Sequence, residues 1–309
     1  MLINNPPVEI TPSLWMLGAS AYPLFLLKGP NEGAIVEGGT GAMGPVLREQ
    51  LQRLGIGQDY IKQVIVTHAH PDHVMAVPLC RQMFPGVSVV ASAAAAKTLA
   101  AEKAISFFCQ MDDALTGSLL KAGLIRDAHR PQPLAEKQIA VDRVVKEGDT
   151  IAIDGMNLQV LETPGHSECS LSFYEPGQKI LVISDATGYY MPERDAWWPN
   201  YFGDYRAYLD SIKRLAGLDA EVLCLSHNGA IRGGEEIRAY FRKAIAATEE
   251  YHQRIVAEAK AGKTLRQIAE QLGAEVHQKT HLLPLDFFQK NCGLLVKQSL
   301  KHEGIAADK

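Results

Sequence analysis

Three histidines and one aspartate stand together in a single short run of the chain. Residues 67–73 read Thr-His-Ala-His-Pro-Asp-His. The β-branched segment Gln63–Thr67 leads into this run and is typical of a buried strand. Imidazole nitrogens and carboxylate oxygens suit zinc, iron or manganese at neutral pH. The run therefore predicts a metal site on a tight loop at a strand end, with four candidate ligands: His68, His70, Asp72 and His73.

Three more candidate ligands occur later in the chain, and each follows a predicted strand. His166 lies in Thr-Pro-Gly-His-Ser, Asp185 in Val-Ile-Ser-Asp-Ala and His227 in Ser-His-Asn-Gly. The strands that precede them are Leu158–Glu162, Ile180–Ile183 and Glu221–Leu225. Loops at strand ends can hold side chains as precisely as a metal requires. One such residue alone is more typical of a capping or core group, but with the first run these residues make one ordered ligand set.

The ordered set H-x-H-x-D-H, G-H, D and H resembles the ligand pattern of the metallo-β-lactamase superfamily over roughly residues 10–235. The resemblance implies an α/β fold, the four-layer αββα sandwich, with the metal site at one sheet edge. It also implies how the ligands are shared: His68, His70 and His166 hold one ion, Asp72, His73 and His227 hold the other, and Asp185 bridges both.

The same resemblance implies the chemistry of the site. Two divalent ions, zinc, iron or manganese, would lie about 3.5–4 Å apart, share a bridging hydroxide and polarise the substrate oxygen. Asp72 would also orient or shuttle a proton. No serine or cysteine nucleophile is needed, and Cys169 is better interpreted as an ordinary residue that opens the next strand.

Asp185 and the C-terminal tail narrow the choice of relatives. A bridging aspartate resembles the glyoxalase II-like thioesterases, lactonases, phosphodiesterases and nucleases, whereas true β-lactamases lack it. A complete second site argues against a one-iron persulfide dioxygenase, and His70 stands where the flavodiiron pattern has glutamate. The helical tail resembles that of quinolone-signal-response hydrolases and of endoribonuclease-like members.

These resemblances favour a binuclear metal-dependent hydrolase of a small ester, thioester or lactone. Two alternatives stay open at this point. One is a phosphodiesterase or ribonuclease of the same fold, and the other is a metal-bearing regulatory protein whose hydrolysis is incidental.

The distribution of apolar residues changes near residue 235. Residues 1–235 are predicted to form the hydrolase domain and residues 236–309 a helical extension. Its predicted helices are Glu235–Lys260, Thr264–Leu272 and Pro284–His302, with Gly262 and Gly273 at helix ends and Thr264 as an N-cap. The apolar face of this tail is expected to pack beside the metal site and narrow its entrance. A packing role or a homodimer contact is the alternative.

Composition and charge limit which partners and which cellular compartment we expect for this chain. The chain has 309 residues, 47% of them apolar and 21% charged, with a formal net charge of −4. This balance gives no general basic surface for nucleic acid, which is disfavoured as a partner, and a small molecule is the expected one. The five cysteines form no C-x-x-C pair, and neither a secretory signal nor a membrane span is recognisable. We therefore expect a cytoplasmic protein that does not bind membranes.

A few residues outside the ligand set are weaker candidates. The stretch from Tyr189 to Phe202 concentrates aromatic side chains, either as a wall for an apolar or acyl substrate or as a core patch under the tail. Arg232 could meet an anionic substrate, but a solvated loop charge is the simpler interpretation. Glu37, at the end of an early strand, is a candidate partner for a ligand histidine.

Overall fold

The computed structural model describes residues 1–280 and 283–306. These residues divide into two compact units. The first comprises Met1–Glu162, Cys169–Ser184 and Asp219–Gly234, and the second comprises Thr163–Glu168, Asp185–Leu218 and the described part of Glu235–Lys309. The predicted division at residue 235 stays a prediction, although the last segment of the second unit also begins there.

The first sheet of the first unit has seven strands. In spatial order they are β1 (Leu2–Ile3), β16 (Ala230–Arg232), β15 (Val222–Leu225), β12 (Ile180–Ser184), β11 (Leu171–Glu175), β10 (Met156–Glu162) and β9 (Thr150–Ile153). β12 and β15 pair in parallel, and every other neighbouring pair is antiparallel. Since β10 and β12 are both antiparallel to β11, the carboxyl ends of β10, β12 and β15 lie at the same edge of this sheet.

The second sheet of the first unit also has seven strands. In spatial order they are β2 (Val8–Thr11), β3 (Leu14–Ala19), β4 (Tyr22–Lys28), β5 (Gly33–Val36), β6 (Ile61–Ile65), β7 (Ser88–Ser92) and β8 (Arg143–Val145). Pairing is antiparallel from β2 to β5 and parallel from β5 to β8. The hydrophobic character of β4 to β6 follows from burial, because strands in the middle of a sandwich are covered by side chains on their faces.

One hydrophobic core joins the two sheets of the first unit. Side chains from both sheets meet in it, among them Phe25 and Val36 from one sheet and Leu158 and Phe173 from the other, all fully buried. Two sheets that bury a shared apolar face in this way form a sandwich. The core thus fixes the strand ends from which the candidate ligand loops leave.

Four helices belong to the first unit: α1 (Met43–Arg53), α2 (Val77–Met83), α3 (Ala93–Leu99) and α4 (Glu102–Lys121). Gln50 of α1 anchors that helix to β3, since its side chain accepts from the Gly18 amide at 2.7 Å and donates to the Gly18 carbonyl at 2.8 Å. Ser92 caps α3 by accepting from the Ala95 amide at 3.2 Å. These side-chain bonds hold helices at places where apolar contact alone would permit sliding.

The second unit is mainly helical. It contains a short hairpin of β13 (Tyr189–Met191) and β14 (Ala196–Trp198), followed by α5 (Tyr205–Ala216), α7 (Leu265–Thr280) and α8 (Leu285–His302). It also contains all but the first residue of α6 (Gly234–Lys260). Thr264 caps α7 as predicted, because its hydroxyl accepts from the Gln267 amide and the Gln267 side chain accepts from the Thr264 amide.

Several predicted elements differ from the structure. The alanine-rich sequence of residues 93–104 favours one continuous helix, but α3 ends at Leu99, whose carbonyl accepts from the Ile139 amide at 3.0 Å. Apolar residues at helical spacing favour a helical insertion over residues 105–135, but the helix α4 ends at Lys121. A strand that the sequence does not indicate, Ala230–Arg232, follows the predicted strand Glu221–Leu225 and pairs with its neighbours on both sides.

The interpretation of Gly273 as a helix end was wrong. The helix α7 continues through it to Thr280. A Cβ atom at this position would lie 2.6 Å from the backbone nitrogen and Cα of Gln289 in α8. Gly273 therefore permits two helices to approach closely, whereas Gly262, at φ +90°, does follow a helix end as predicted.

No helix within residues 1–280 and 283–306 is both long enough and apolar enough to cross a membrane. The predicted cytoplasmic location and the possible homodimer through the tail stay predictions.

Candidate metal centre

The first ligand run lies where the sequence places it, directly after β6. The backbone amide of Val66 still bonds the Val90 carbonyl of β7 at 2.8 Å, and the chain then leaves the sheet. Pro71–His73 forms one 3-10 turn, closed by the His73 amide and the His70 carbonyl at 3.0 Å. Proline is suited to the first position of such a turn because its φ angle is already set and no amide hydrogen is needed there.

Five of the seven predicted ligands come together within the first unit. Nε2 of His68 and Nδ1 of His70 lie 3.1 Å apart. Oδ2 of Asp72 lies 3.5 Å from Nε2 of His73 and 3.7 Å from Nε2 of His227. Asp72, His73 and His227 each offer one ligand atom within 4.8 Å of the others. Residues far apart in sequence thus present nitrogen and oxygen atoms to a common space.

The remaining two predicted ligands lie together in the second unit. Nε2 of His166 is 3.3 Å from Oδ2 of Asp185, and both side chains are buried. Nδ1 of His166 donates to the backbone carbonyl of Asn200 at 2.9 Å. The imidazole is therefore fixed at one nitrogen and presents the other to the carboxylate.

A glycine allows His166 to take this position. Gly165 has φ +124°, and a Cβ atom there would lie 2.2 Å from the backbone nitrogen and Cα of Tyr208 in α5. Its carbonyl accepts from the amides of Gly203 and Asp204 at 2.9 and 3.1 Å. Any larger residue at 165 would push the loop away from α5, which explains the Gly-His pair in the sequence.

Three of the candidate ligand histidines in the first unit use Nδ1 for a protein partner. Nδ1 of His73 bonds Oε2 of Glu37 at 2.9 Å, and Nδ1 of His227 donates to the Ala21 carbonyl at 2.8 Å. Nδ1 of His68 lies 3.2 Å from the hydroxyls of Thr67 and Ser184. Partners that can only accept, as for His73 and His227, fix the ring orientation and the tautomer of a metal-binding histidine, so that Nε2 is free of its proton.

Glu37 joins these partners into one buried network. It accepts from the Thr67 hydroxyl at 3.0–3.1 Å and bonds His73, and the Thr67 hydroxyl lies 2.8 Å from that of Ser184. Glu37 therefore bonds His73 as predicted, while the assignment of His73 as a metal ligand stays a prediction. The Glu37 carboxylate lies in a poorly solvated region, and a divalent cation nearby would compensate its negative charge.

The donor set fits divalent ions of the first transition row. Its members are histidine nitrogens and carboxylate oxygens, the ligands that zinc, iron and manganese accept. Ligand atoms that share one ion at about 2.0–2.2 Å from each lie roughly 3–3.5 Å apart. The separations of 3.1, 3.3 and 3.5 Å between candidate ligand atoms match that spacing.

Three non-glycine residues beside the ligands have left-handed backbone. Glu37 has φ 79°, Ser184 has φ 46° and Asn228 has φ 63°. Ser184 directly precedes Asp185, and Asn228 directly follows His227, where its amide donates to the Ser20 carbonyl at 2.8 Å. Backbone in this region costs on the order of 1–3 kcal/mol per residue and tends to occur where a side chain must be aimed.

The aromatic stretch after Asp185 belongs mostly to the core of the second unit. Trp197, Trp198 and Tyr201 are buried. Trp198 packs edge-on against Phe288 of α8 with ring centroids 5.3 Å apart, and the Tyr201 hydroxyl bonds that of Ser299 at 3.0 Å. The core-patch interpretation therefore holds for these three side chains.

Two side chains of the second unit lie beside the His166–Asp185 pair. The half-buried Phe202 ring is 5.3 Å from the His166 ring, centroid to centroid. From the tail, the Tyr240 hydroxyl of α6 bonds that of Thr187, two residues after Asp185, at 2.7 Å. The tail thus contacts the loop that carries Asp185.

Two other sequence candidates have structural contacts. Cys169 is buried, and its Sγ accepts from the Ala69 amide, between His68 and His70, at 3.3 Å. It helps to position the ligand loop, a role the sequence did not indicate. Arg232 is exposed and donates to the Ile10 carbonyl at 3.3 Å, which agrees with an ordinary surface charge.

Comparison with known proteins identifies the family. The sequence profile of the metallo-beta-lactamase superfamily matches residues 20–227, from the β3–β4 turn to the last candidate ligand. The chain belongs to this superfamily, and the predicted fold class, an α/β sandwich with C-terminal helices, is confirmed.

Individual relatives are distant. A metallo-beta-lactamase fold-containing protein of Sulfurisphaera tokodaii is 24% identical over 216 residues, which cover 69% of this chain and 77% of that protein. A hydroxyacylglutathione hydrolase of Fuscovulum blasticum is 25% identical over 126 residues, 41% of this chain and 34% of that enzyme. The match thus spans about a third of the hydrolase.

Among solved structures, a metallo-beta-lactamase family protein of Thermus thermophilus superposes with a TM-score of 0.63 at 22% identity. The superposition covers 96% of this chain and 95% of that one. At this identity the likeness shows the fold, and the activity has to be argued from the site.

Proposed function

We propose that this metal-dependent hydrolase holds two divalent ions and cleaves a small ester, thioester or lactone. The observation that carries the proposal is the fixed orientation of the histidines. Nδ1 of His73, His166 and His227 each bonds a protein oxygen, and Nε2 of each lies 3.3–3.7 Å from a carboxylate oxygen. Histidines arranged in this way are suited to metal binding.

The proposal keeps the ligand set that the sequence pattern implies. Chain connectivity supports it, because β10, β12 and β15 run in the same direction and His166, Asp185 and His227 follow their carboxyl ends. Ser184, the last residue of β12, lies with its hydroxyl 3.2 Å from His68 Nδ1, and Asp185 is the next residue. In this assignment His68, His70 and His166 hold one ion, Asp72, His73 and His227 hold the other, and Asp185 bridges them.

Different residues of the protein have different roles in the proposed reaction. When bound, the ions supply Lewis acidity that makes water more acidic and polarises the substrate carbonyl. The Asp72 carboxylate is 23% exposed while His73 is 2% exposed, so a proton or water can reach the aspartate. We assign to Asp72 the orientation of water and the transfer of its proton, in addition to metal binding. Glu37, Ala21 and Asn200 keep the imidazoles in place throughout.

The choice of an acyl substrate rests on Asp185 and on the relatives. An aspartate at this position distinguishes the chain from true β-lactamases in the pattern described above. The relative from Fuscovulum blasticum is named for the hydrolysis of hydroxyacylglutathione. The net charge of −4 also disfavours a polyanionic substrate such as RNA.

A substrate panel with metal analysis tests the proposal. The chain is purified, its metal content is measured, and hydrolysis of an acyl thioester, a lactone, a carboxylic ester and a bis-phosphodiester is compared at equal ion loading. We expect two ions per chain at this centre and acyl hydrolysis that chelation abolishes and zinc, iron or manganese restores.

Two results would overturn different parts of the proposal. Phosphodiester cleavage without acyl hydrolysis would replace the substrate class. A wild-type chain that holds a single ion, and keeps it when His227 is replaced by alanine, would refute the two-ion assignment.

A further inference from the structure

We propose that the second unit holds a separate transition-metal site, formed by His252, His302 and Glu303, that binds zinc and fastens α6 to the end of α8. His252 lies in α6, His302 is the last residue of α8, and Glu303 follows it. The inference does not depend on the proposed hydrolase activity.

The three side chains offer ligand atoms within 4.8 Å of one another. Nε2 of His252 and Oε1 of Glu303 are 3.2 Å apart, close to the separation of about 3.3 Å between two ligands of a tetrahedral zinc ion. The rings of His252 and His302 are 5.4 Å apart, centroid to centroid. Since His302 and Glu303 are exposed, a small rotamer change can bring all three atoms onto one ion.

Tyr205 holds both histidines in place. Its ring stacks on His252 with centroids 3.9 Å apart and an interplanar angle of 13°, and it meets His302 edge-on at 5.0 Å. Two imidazoles are therefore oriented by the same aromatic side chain before any ion binds. Preorganisation of this kind lowers the entropy lost on binding.

His252 is buried, and only one of its two ring nitrogens has a hydrogen-bond partner among the described residues. It is 7% exposed, and its Nδ1 atom is buried without a hydrogen-bond partner among the described residues. A buried polar atom without a partner costs about 1–3 kcal/mol. Hydrogen bonding at Nδ1 therefore does not explain why a histidine stands at this position. Nε2, which faces Glu303, is the atom that we assign to metal binding.

The donor set selects the class of ion. Two imidazole nitrogens and one carboxylate oxygen suit zinc and its neighbours and leave one position for water. Calcium and magnesium prefer oxygen ligands throughout, so they are disfavoured.

The site is distinct from the centre described above. Tyr240, which bonds Thr187 near Asp185, lies about three turns before His252 on the same helix, which is roughly 18 Å along its axis.

Calorimetric titration with zinc tests the inference on the full chain, first saturated at its tighter sites. We compare the wild type with His302→Ala, Glu303→Gln and, as a matched control, His277→Ala in α7. We expect one additional zinc per chain in the wild type and the control, and at least a tenfold weaker affinity in the other two variants. Added zinc should also raise Tm in the wild type and the control more than in those two variants.

Since His302 and Glu303 are exposed, both variants should fold, which circular dichroism verifies. Equal zinc affinity in all four proteins would overturn the inference. Zinc binding weaker than about 1 mM in the wild type would also overturn it, because such affinity is that of any surface histidine. Loss of hydrolase activity bears on the proposed function and leaves this comparison readable.

Discussion

Single side chains around the candidate centre differ in what their loss should do. Asp185 is a ligand in the assignment above, whereas Glu37 acts through His73, whose Nδ1 it bonds at 2.9 Å. Removal of a bridging charge should affect both ions and turnover, and removal of an outer partner should weaken binding at one ion.

Asp185→Asn should lose at least one ion per chain and lower turnover by well over tenfold, because an amide cannot neutralise two cations as a carboxylate does. Metal content and the rate of acyl hydrolysis measure the effect. Asp210→Asn is the control, since Asp210 is an exposed residue of α5 paired with Arg206. Wild-type metal content in the Asp185 variant would contradict the bridging role.

Glu37→Gln should weaken metal binding by about 10–100-fold, the usual cost of losing an outer partner. The amide can still accept from His73, but it lacks the charge that favours a proton on Nδ1. A chelator competition measures affinity, and Glu9→Gln, an exposed position on β2, serves as control. Unchanged affinity would mean that Glu37 contributes to folding alone.

Asp112 of α4 gives a pH-dependent prediction for the metal-free chain. Burial raises its pKa from 3.8 to about 6, although the Gly41 amide donates to it at 2.7 Å. The folded chain therefore binds a proton more tightly than the unfolded chain, and stability from this group is lost as pH rises from about 4 to 6.

Asp112→Asn removes this loss, because an amide oxygen can still accept from Gly41. At pH 7 the variant should be more stable than the wild type by about 1–3 kcal/mol, and near pH 3 the gain should vanish. Urea unfolding at the two pH values gives the measurement, with the exposed Asp210→Asn as control. A gain that does not change with pH would refute the explanation.

At the residue scale the sequence predicted the seven candidate ligands, because residue type and spacing carry metal chemistry directly. It also pointed to Glu37 at a strand end. The partners of His166 and His227 could not be predicted, since they are backbone carbonyls, of Asn200 and Ala21, and every residue has one. The same holds for Cys169, whose contact with the Ala69 amide depends on how two distant loops meet.

At the scale of secondary-structure elements, α7 and α8 of the second unit contain two glycines at which an added methyl group should have opposite effects on stability. Gly273 faces the α8 backbone at Gln289, whereas a Cβ atom at Gly293 of α8 would meet the Ala269 Cβ at 3.8 Å, an ordinary contact. The two positions therefore make a matched pair.

Gly273→Ala should destabilise the chain by about 1–3 kcal/mol, because backbone atoms of α8 must move to admit a methyl group. Gly293→Ala should stabilise it by about 0.5–1 kcal/mol, the usual difference between the two residues inside a helix. Thermal unfolding of both variants measures the difference. A shift of the same sign in both would refute the close approach at Gly273.

A long element with clear periodicity was predicted well, namely the helix that ends at Lys260. Short ones were missed. Strands such as Leu2–Ile3 and Ala230–Arg232 are too short to show alternation, and they exist because their partners in the sheet are already in place. Likewise, Gly273 resembles a helix end in sequence, and its real reason is a neighbouring helix.

For the whole molecule, bound metal should contribute to the free energy of unfolding. The proposed ligands extend from position 68 to position 227, so only the folded chain can present them to one centre. A ligand present at a hundredfold excess over its Kd stabilises by about 2.7 kcal/mol. Chelation should therefore lower Tm by about 5 °C or more, and added zinc should restore it. Calorimetry with and without chelator measures this, and an unchanged Tm would contradict a centre that links distant segments.

The order of segments along the chain limits how this protein can be recombined with its relatives. Trp198, Tyr201 and Phe202 precede the tail by many residues, yet they contact Phe288, Ser299 and Gln298 of α8. A chimera that exchanges the tail alone would place new helices against aromatic residues that pack with the original α8. A successful graft has to carry residues 185–218 along with the tail, and that segment begins with Asp185. The helices of this tail therefore cannot be exchanged as one segment without also transferring Asp185, a candidate metal ligand.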